Sequence, residues 1–309
     1  MMNSPFRVLL LAVAITAAPA ATAQIPSSPD TSRPLPDIPT LMHEVEAHQR
    51  ASEAIQKDYL YHEVAHQQRN DGKNSDTREY DVFWLRGVEI HKLTRKDGRE
   101  LTADEQRKED ERIDKEVAKA QERKRKADAK GQETNSRGND EITVSRVLTL
   151  GTFSNPRRVQ LNGRDTIAID YTGDPKAKTR NRLESAIRDL SGTLWVDEQD
   201  RVLTRTEGHF AKSFKIGAGM LISIKEGTSF SMEWVKINQE VWLPSHLEGR
   251  GGVRMLLFVN FDGSVQATNS NYRKFKATST ILPGLSTVKE SPSSENPPKP
   301  ENPEAPAPH

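Results

Sequence analysis

Residues 192–275 alternate between short apolar segments and turn-forming residues. Segments of about 6–10 residues rich in Val, Ile, Leu, Thr and aromatic side chains are separated by Asp, Asn and Gly. The separating sequences include Asn238-Gln239 and Asp262-Gly263. Because short turns join strands that run in opposite directions, this pattern predicts an antiparallel meander.

Similar apolar segments precede this region and extend the predicted sheet. Two of the hairpins are marked by their turns, one near Gly87 and one at Asn162-Gly163, which is a common hairpin sequence. We expect about eleven strands in all, and a twisted antiparallel sheet of that size tends to curl. The predicted strands before residue 192 lie at 80–86, 88–94, 142–150, 157–161 and 166–171, with 59–68 as a further candidate.

Helical patterns occur at three places. Residues 40–57 follow Pro39 and carry Leu41, Val45 and Ile55 on one side, which predicts a helix with a partly buried face. Residues 183–190 predict a short helix.

The third helical pattern, at 102–130, is the most charged part of the chain. Thr102 and Glu105 form a capping-box sequence at its start. Its apolar stripe is thin, so we expect a long, mostly solvated helix that touches the core near Ile113 and Val117. A loop at 131–140 should follow this helix.

These elements define an α+β protein that is mainly β. We predict a curled antiparallel sheet that forms an incomplete barrel over the N-terminal helix, with the long charged helix inserted. The space between sheet and helix would suit an apolar ligand. The alternative is that the aromatic residues are ordinary core or sheet packing. The candidate cavity residues are Phe83, Trp234, Trp242, Leu256 and Phe258.

The ends of the chain predict export and extended segments. Residues 1–23 have the pattern of a signal peptide, with Arg7 before a short apolar run and Ala21-Thr22-Ala23 as the cleavage site. Residues 24–39 form a flexible, Pro-rich arm, residues 40–281 a single half-barrel domain, and residues 282–309 a disordered, Pro-rich tail. No later segment reaches the length of a transmembrane helix.

Composition narrows the possible partners. The formal net charge of +1 gives no general attraction to nucleic acid. The chain has no cysteine, so cysteine catalysis is excluded.

The end of the charged helix is basic at Arg123, Lys124, Arg125 and Lys126. These cations either complement the helix C-terminus or contact an anionic surface or a partner protein.

One sequence motif suggests metal chemistry. His62-Glu63-Val64-Ala65-His66 matches H-E-x-x-H, which on a helix places two His on one face as zinc ligands. On a strand the two His lie about 13 Å apart and Glu63 points to the other side. The zinc peptidase alternative therefore depends on whether residues 59–68 are helix or strand.

Two sequence blocks resemble a known family. GTLWVDEQDRVLTRTEGHF followed by EWVKINQEVWLPSHLEGR is similar to the bacterial outer-membrane lipoprotein-sorting superfamily, which is LolA/LolB-like and RseB-like. The resemblance implies an open β-barrel with a hydrophobic cavity that holds acyl chains in its carrier members. It also implies that residues 59–68 form a strand. It extends more weakly to other segments within residues 40–275.

The resulting functional hypothesis is a non-enzymatic protein of the periplasm of a Gram-negative-type bacterium. It would hold an acyl chain, lipid or lipoprotein in the half-barrel cavity, without a cofactor. The alternatives are an envelope interaction or sensor protein without ligand transport, and the zinc metallopeptidase.

Overall fold

A computed structural model describes residues 33–69, 75–131, 142–216, 222–255 and 259–274. The predicted signal peptide, residues 24–32 of the arm, nearly all of the 131–140 loop and the tail lie outside these residues. The helices are α1 (Ile38–Gln56), α2 (Ala103–Asp128), α3 (Val144–Val147) and α4 (Arg182–Arg188). The strands are β1 (Tyr59–Arg69), β2 (Ser75–Leu85), β3 (Val88–Lys96), β4 (Arg99–Glu100), β5 (Gly151–Leu161), β6 (Arg164–Gly173), β7 (Leu190–Asp197), β8 (Leu203–Phe210), β9 (Phe214–Ile216), β10 (Ile222–Ile224), β11 (Ser229–Ile237), β12 (Val241–Met255) and β13 (Val259–Lys274).

All strand pairs of the described residues belong to one antiparallel, 13-stranded sheet. Eleven strands follow the order β4-β3-β2-β1-β13-β12-β11-β8-β7-β6-β5. The short β10 lies off this path and pairs with β12, and β9 pairs with β10. The path ends at β4 and β5, which do not pair with each other, so the sheet is open. The predicted incomplete antiparallel barrel is confirmed.

Helix α1 packs on one face of the sheet, against β6 and β7 and, through Ile55, against β12. Its first turn is capped by Asp37, whose carboxylate accepts a hydrogen bond from the Thr40 amide at 3.1 Å. Leu41 and Val45 are buried against strands β6 and β7, as the apolar stripe predicts. Their buried contacts are Ile167, Ile169 and Val196.

Helix α2 lies against β3 and contacts the sheet over more of its length than we expected. Thr102 and Glu105 form the predicted capping box. Ile113 and Val117 pack on the core, together with Ala120. Glu109 is also buried, and its carboxylate accepts a hydrogen bond from the Leu93 amide at 2.8 Å.

The predicted strand at 142–150 is wrong, because its first half forms α3. Thr143 caps this helix by accepting a hydrogen bond from the Arg146 amide. Arg146 then reaches the buried carboxylate of Glu184 at 2.7 and 2.8 Å. This polar anchoring to α4 outweighs the strand preference of the β-branched residues.

The end of the predicted flexible arm contacts the sheet. The guanidinium of Arg158, which is buried, donates hydrogen bonds to the carbonyl oxygens of Arg33 and Pro34. Arg158 also forms an ion pair with Glu198 at 2.7 Å. These bonds position the chain immediately before α1.

Replacing Leu41 by Ala should destabilise the domain by about 2–5 kcal/mol, because a fully buried side chain is removed. Leu35→Ala is the matched control, since Leu35 is 40% exposed, and should change stability by less than about 0.5 kcal/mol. Urea denaturation measures both. Equal effects of the two substitutions would contradict the placement of α1.

The Arg146–Glu184 pair predicts a pH-dependent contribution to stability. The hydrogen bond from Arg146 is the main cause that holds the pKa of Glu184 below its usual value. A lowered carboxyl pKa stabilises the folded state above the unfolded pKa, and this contribution is lost as pH falls through the folded pKa. The loss in unfolding free energy caused by Glu184→Gln should therefore shrink on acidification from neutral pH. The control Glu53→Gln, at an exposed position on α1, should show no such trend. A constant Glu184→Gln effect across the pH range would contradict this account.

Candidate functional site

One face of the sheet carries a continuous row of apolar side chains from β1 to β6. Paired residues of neighbouring antiparallel strands share a face, so the register identifies the members of this row. Thr206 is its one polar member. The apolar row consists of Ala65, Ala267, Leu247, Met232, Thr206, Leu194 and Ile169.

A second row on the same face contains three glycines. Phe230 pairs with Gly208, and a Cβ added at Gly208 would lie 2.6 Å from the Phe230 ring. A Cβ at Gly192 would lie 1.9 Å from the carbonyl oxygen of Glu207. The Phe230 ring therefore lies directly over the backbone of Gly208. Because three members of this row have no side chain, the row projects little above the sheet. The glycine row consists of Tyr171, Gly192, Gly208, Phe230, Gly249 and Val265.

Helix α1 covers only part of this face. Ile169 of the apolar row is buried beneath Leu41 and Val45. The middle of the two rows is half-buried at Leu194, Phe230, Met232 and Leu247, which we call the inner strip. The inner strip is apolar surface that the described part of the chain leaves partly open.

Aromatic side chains lie at the β1–β3 end of this face. The rings of Tyr61 and Tyr272 are 5.6 Å apart. Burial raises the pKa of Tyr272 to about 12, and burial followed by the charge of Glu89 raises that of Tyr61. Glu63, also on this face, contacts His91 at 3.3 Å. Because their pKa values are raised, Tyr61 and Tyr272 are both neutral at physiological pH, so they present uncharged aromatic rings at this end of the face.

The predicted cavity residues do not come together on this face. Tyr61 pairs with Val82, so Phe83 points to the opposite face, where it packs against the core cluster under α2. The indole N–H of Trp242 donates to Asp200 at 2.9 Å. Trp234 is half-buried and pairs with Pro244.

Leu256 and Phe258 lie outside the described residues. Sequence reasoning selected mainly large aromatic residues and missed the two rows, in which most side chains are small or aliphatic. The detectable signal was the alternation in 264–270 and the glycines at 192, 208 and 249.

The H-E-x-x-H motif lies on β1, so its two His do not share a helix face. His62 contacts Glu79 and Asp81, each at 3.3 Å, whereas Glu63 points to the other face. His66 contacts the Thr77 hydroxyl at 2.8 Å. Among the described residues, no group of three or more His, Asp or Glu has the arrangement of a metal site. The zincin geometry that this alternative requires is not present in this segment.

The basic end of α2 is largely exposed to solvent. Arg123, Arg125 and Lys126 are exposed and Lys124 is half-buried. Lys126 pairs with Glu122 at 2.8 Å. Residues 103–115 of the helix include six acidic and four basic residues, whereas residues 116–128 include three acidic and five basic residues, so charge is distributed unevenly along it.

Among the helices of the described residues, none has the length and apolar character needed to cross a membrane.

Comparisons with known proteins gave matches of low sequence identity among solved structures. Protein-family models and curated proteins gave no match. Among solved structures, a domain described as an outer membrane lipoprotein-sorting protein from Vibrio parahaemolyticus is 9% identical, with a TM-score of 0.34, and the match covers 77% of this chain and 95% of that one. A LolA superfamily protein from Nitrosomonas europaea is 10% identical, with a TM-score of 0.30 and coverage of 75% and 93%. A structure of the Pseudomonas aeruginosa MucA/MucB complex is 9% identical, with a TM-score of 0.21, and the match covers 76% of this chain and 100% of that one.

Gly208→Ala should destabilise the domain by about 1–3 kcal/mol, because its new methyl group would overlap the Phe230 ring. Removing the ring should relieve this overlap. Gly208→Ala should therefore cost less in a Phe230→Ala background, which a double-mutant cycle measured by urea denaturation would show.

Gly249→Ala is the matched control in the same row. Its nearest contact would be a methyl group of Val265 at 3.1 Å, with no Phe230 atom among the closest neighbours. Its effect should add to that of Phe230→Ala. If the effects of Gly208→Ala and Phe230→Ala on the free energy of unfolding were also additive, the position of the Phe230 ring over Gly208 would be contradicted.

Proposed function

We propose that this chain is an exported, non-enzymatic binding protein that holds an acyl chain, lipid or lipoprotein on the apolar face of its open sheet. The observation that carries the proposal is the inner strip. Leu194, Met232 and Leu247 are apolar, only half-buried and in one register row, with Thr206 between Leu194 and Met232. An apolar ligand would complete the burial of this surface.

The chemistry of the strip favours burial over catalysis. Its members offer no nucleophile, acid or base, and the nearby phenols of Tyr61 and Tyr272 are held neutral. Each methylene removed from water contributes about 0.8 kcal/mol, so a long chain could bind without strong polar contacts. The proposal requires no cofactor.

The N-terminal sequence pattern supports export. Residues 1–23 combine a basic start, a short apolar run and a small-x-small cleavage site. We therefore place the protein in the periplasm of a Gram-negative-type bacterium, where lipids and lipoproteins pass between membranes.

Leu247→Gln should weaken binding of a fluorescent fatty acid, cis-parinarate, by about tenfold, because it introduces a polar amide into the strip. The matched control is His246→Gln, since the neighbouring residue of β12 points to the opposite face. The control should bind like the wild type. Absence of saturable binding by the wild-type protein would overturn the proposal, and equal weakening by both variants would overturn the placement of the ligand.

The basic end of α2 favours a second candidate, an envelope interaction or sensor protein. The exposed cations would contact an anionic partner or surface, and each is worth about 1 kcal/mol near anionic lipid. Because Ile113 and Val117 belong to the core, this hypothesis is tested by charge changes, not by deleting the helix.

The double variant Lys124→Glu/Arg125→Glu should lose salt-sensitive binding to phosphatidylglycerol vesicles in a sedimentation assay. Arg107→Glu/Lys108→Glu, at exposed positions on the acidic half of α2, is the matched control and should retain it. Equal binding to neutral phosphatidylcholine vesicles would contradict an electrostatic contact.

A further inference from the structure

The face opposite to the inner strip carries two polar rows that line a groove of about 610 Å³. The register places the members of each row side by side across five strands. The glycine row lies between them, and the side chains of its other members, Tyr171, Phe230 and Val265, point to the other face. The first polar row is Asp170, Thr193, Glu207, Ser231 and Glu248, and the second is Thr172, Ser191, His209, Ser229 and Arg250.

The centre of this groove has the form of a trough along β11. Ser229 and Ser231 form its floor, because their side chains are short. The neighbouring strands β8 and β12 supply longer side chains on either side. The two walls stand two strand spacings apart, about 9.5 Å between backbones. This width leaves room for a chain that lies along β11.

Opposite charges occupy the two ends of the trough. Glu207 and Glu248 face each other across Ser231, and His209 and Arg250 face each other across Ser229. Along each strand these ends are two residues apart, which is about 7 Å. A ligand that lies in the trough therefore meets carboxylates at one end and basic side chains at the other.

Most of these polar groups are not paired within the described part of the chain. On β8, Arg205 forms an ion pair with Glu207 at the same two-residue spacing, and it also pairs with Glu233. On β12, Glu248 and Arg250 have that spacing but do not form an ion pair with each other. In the described residues no side-chain hydrogen bond or ion pair involves Ser191, His209, Ser229, Ser231, Glu248 or Arg250.

We propose that this trough binds a zwitterionic ligand of the size of a short peptide. Its carboxylate lies between His209 and Arg250, and its ammonium group lies near Glu248 and the Ser231 hydroxyl. An extended dipeptide spans about 7 Å, which matches the separation of the two ends. The site is on the other face from the inner strip, so it is independent of acyl-chain binding.

Isothermal titration calorimetry with the dipeptide Ala-Ala tests this inference. The wild-type protein should bind Ala-Ala, and both N-acetyl-Ala-Ala and Ala-Ala-amide should bind at least about tenfold more weakly, since each lacks one charge. Failure of Ala-Ala to bind at millimolar concentration would overturn the proposal. Equal binding of the acetylated peptide would also overturn it, because the site would then recognise an anion alone.

Substitutions at Arg250 and Glu248 test whether the ligand binds in the trough. Arg250→Gln and Glu248→Gln should each weaken binding of Ala-Ala by about tenfold without changing the urea midpoint, because neither side chain has a partner among the described residues. Arg69→Gln, an exposed arginine on β1 outside the groove, is the control and should bind like the wild type. Binding that is unchanged in Arg250→Gln and Glu248→Gln would place the ligand elsewhere and overturn the assignment.

Discussion

The cross-strand register from β1 to β6 is the constraint on which the rest of this structure depends. It aligns Ala65, Ala267, Leu247 and Met232 on one face, and it aligns Glu248, Ser231 and Glu207 on the other. A shift of one residue would exchange the faces of a whole strand, exposing apolar side chains and burying carboxylates. The same pairing therefore provides the stability of the sheet and separates its two surfaces chemically.

The two long helices stabilise opposite faces of this sheet. Helix α1 packs on Ile167 and Ile169 of β6, and α2 packs on Ile90 of β3 from the other side. Helix α1 also reaches the middle of the sheet, where Ile55 packs on Val241 and Leu243 of β12. It leaves Leu194, Met232 and Leu247 half-buried, which explains how one fold can present an apolar strip and a polar trough back to back.

Much of the architecture could be predicted from sequence, whereas the sites could not. Alternating residues and turn signals such as Asn162-Gly163 predict local structure, and α1, the α2 capping box and most of the strands are confirmed. The strand predicted at 142–150 was wrong because α3 depends on Arg146 reaching Glu184, which is distant in sequence. The candidate surfaces depend on which residues face each other across strands. Periodicity in one segment does not contain that information, so Phe83 was assigned to a cavity although it packs under α2.

The central claim is that an acyl chain lies on the inner strip, and methyl NMR with a spin-labelled fatty acid tests it most directly. The paramagnetic label should broaden the methyl signals of Leu194, Met232 and Leu247. The signal of Leu41, which is fully buried between α1 and the sheet, should be affected much less. Broadening confined to methyl groups outside the strip, or no broadening at any methyl group, would contradict the account.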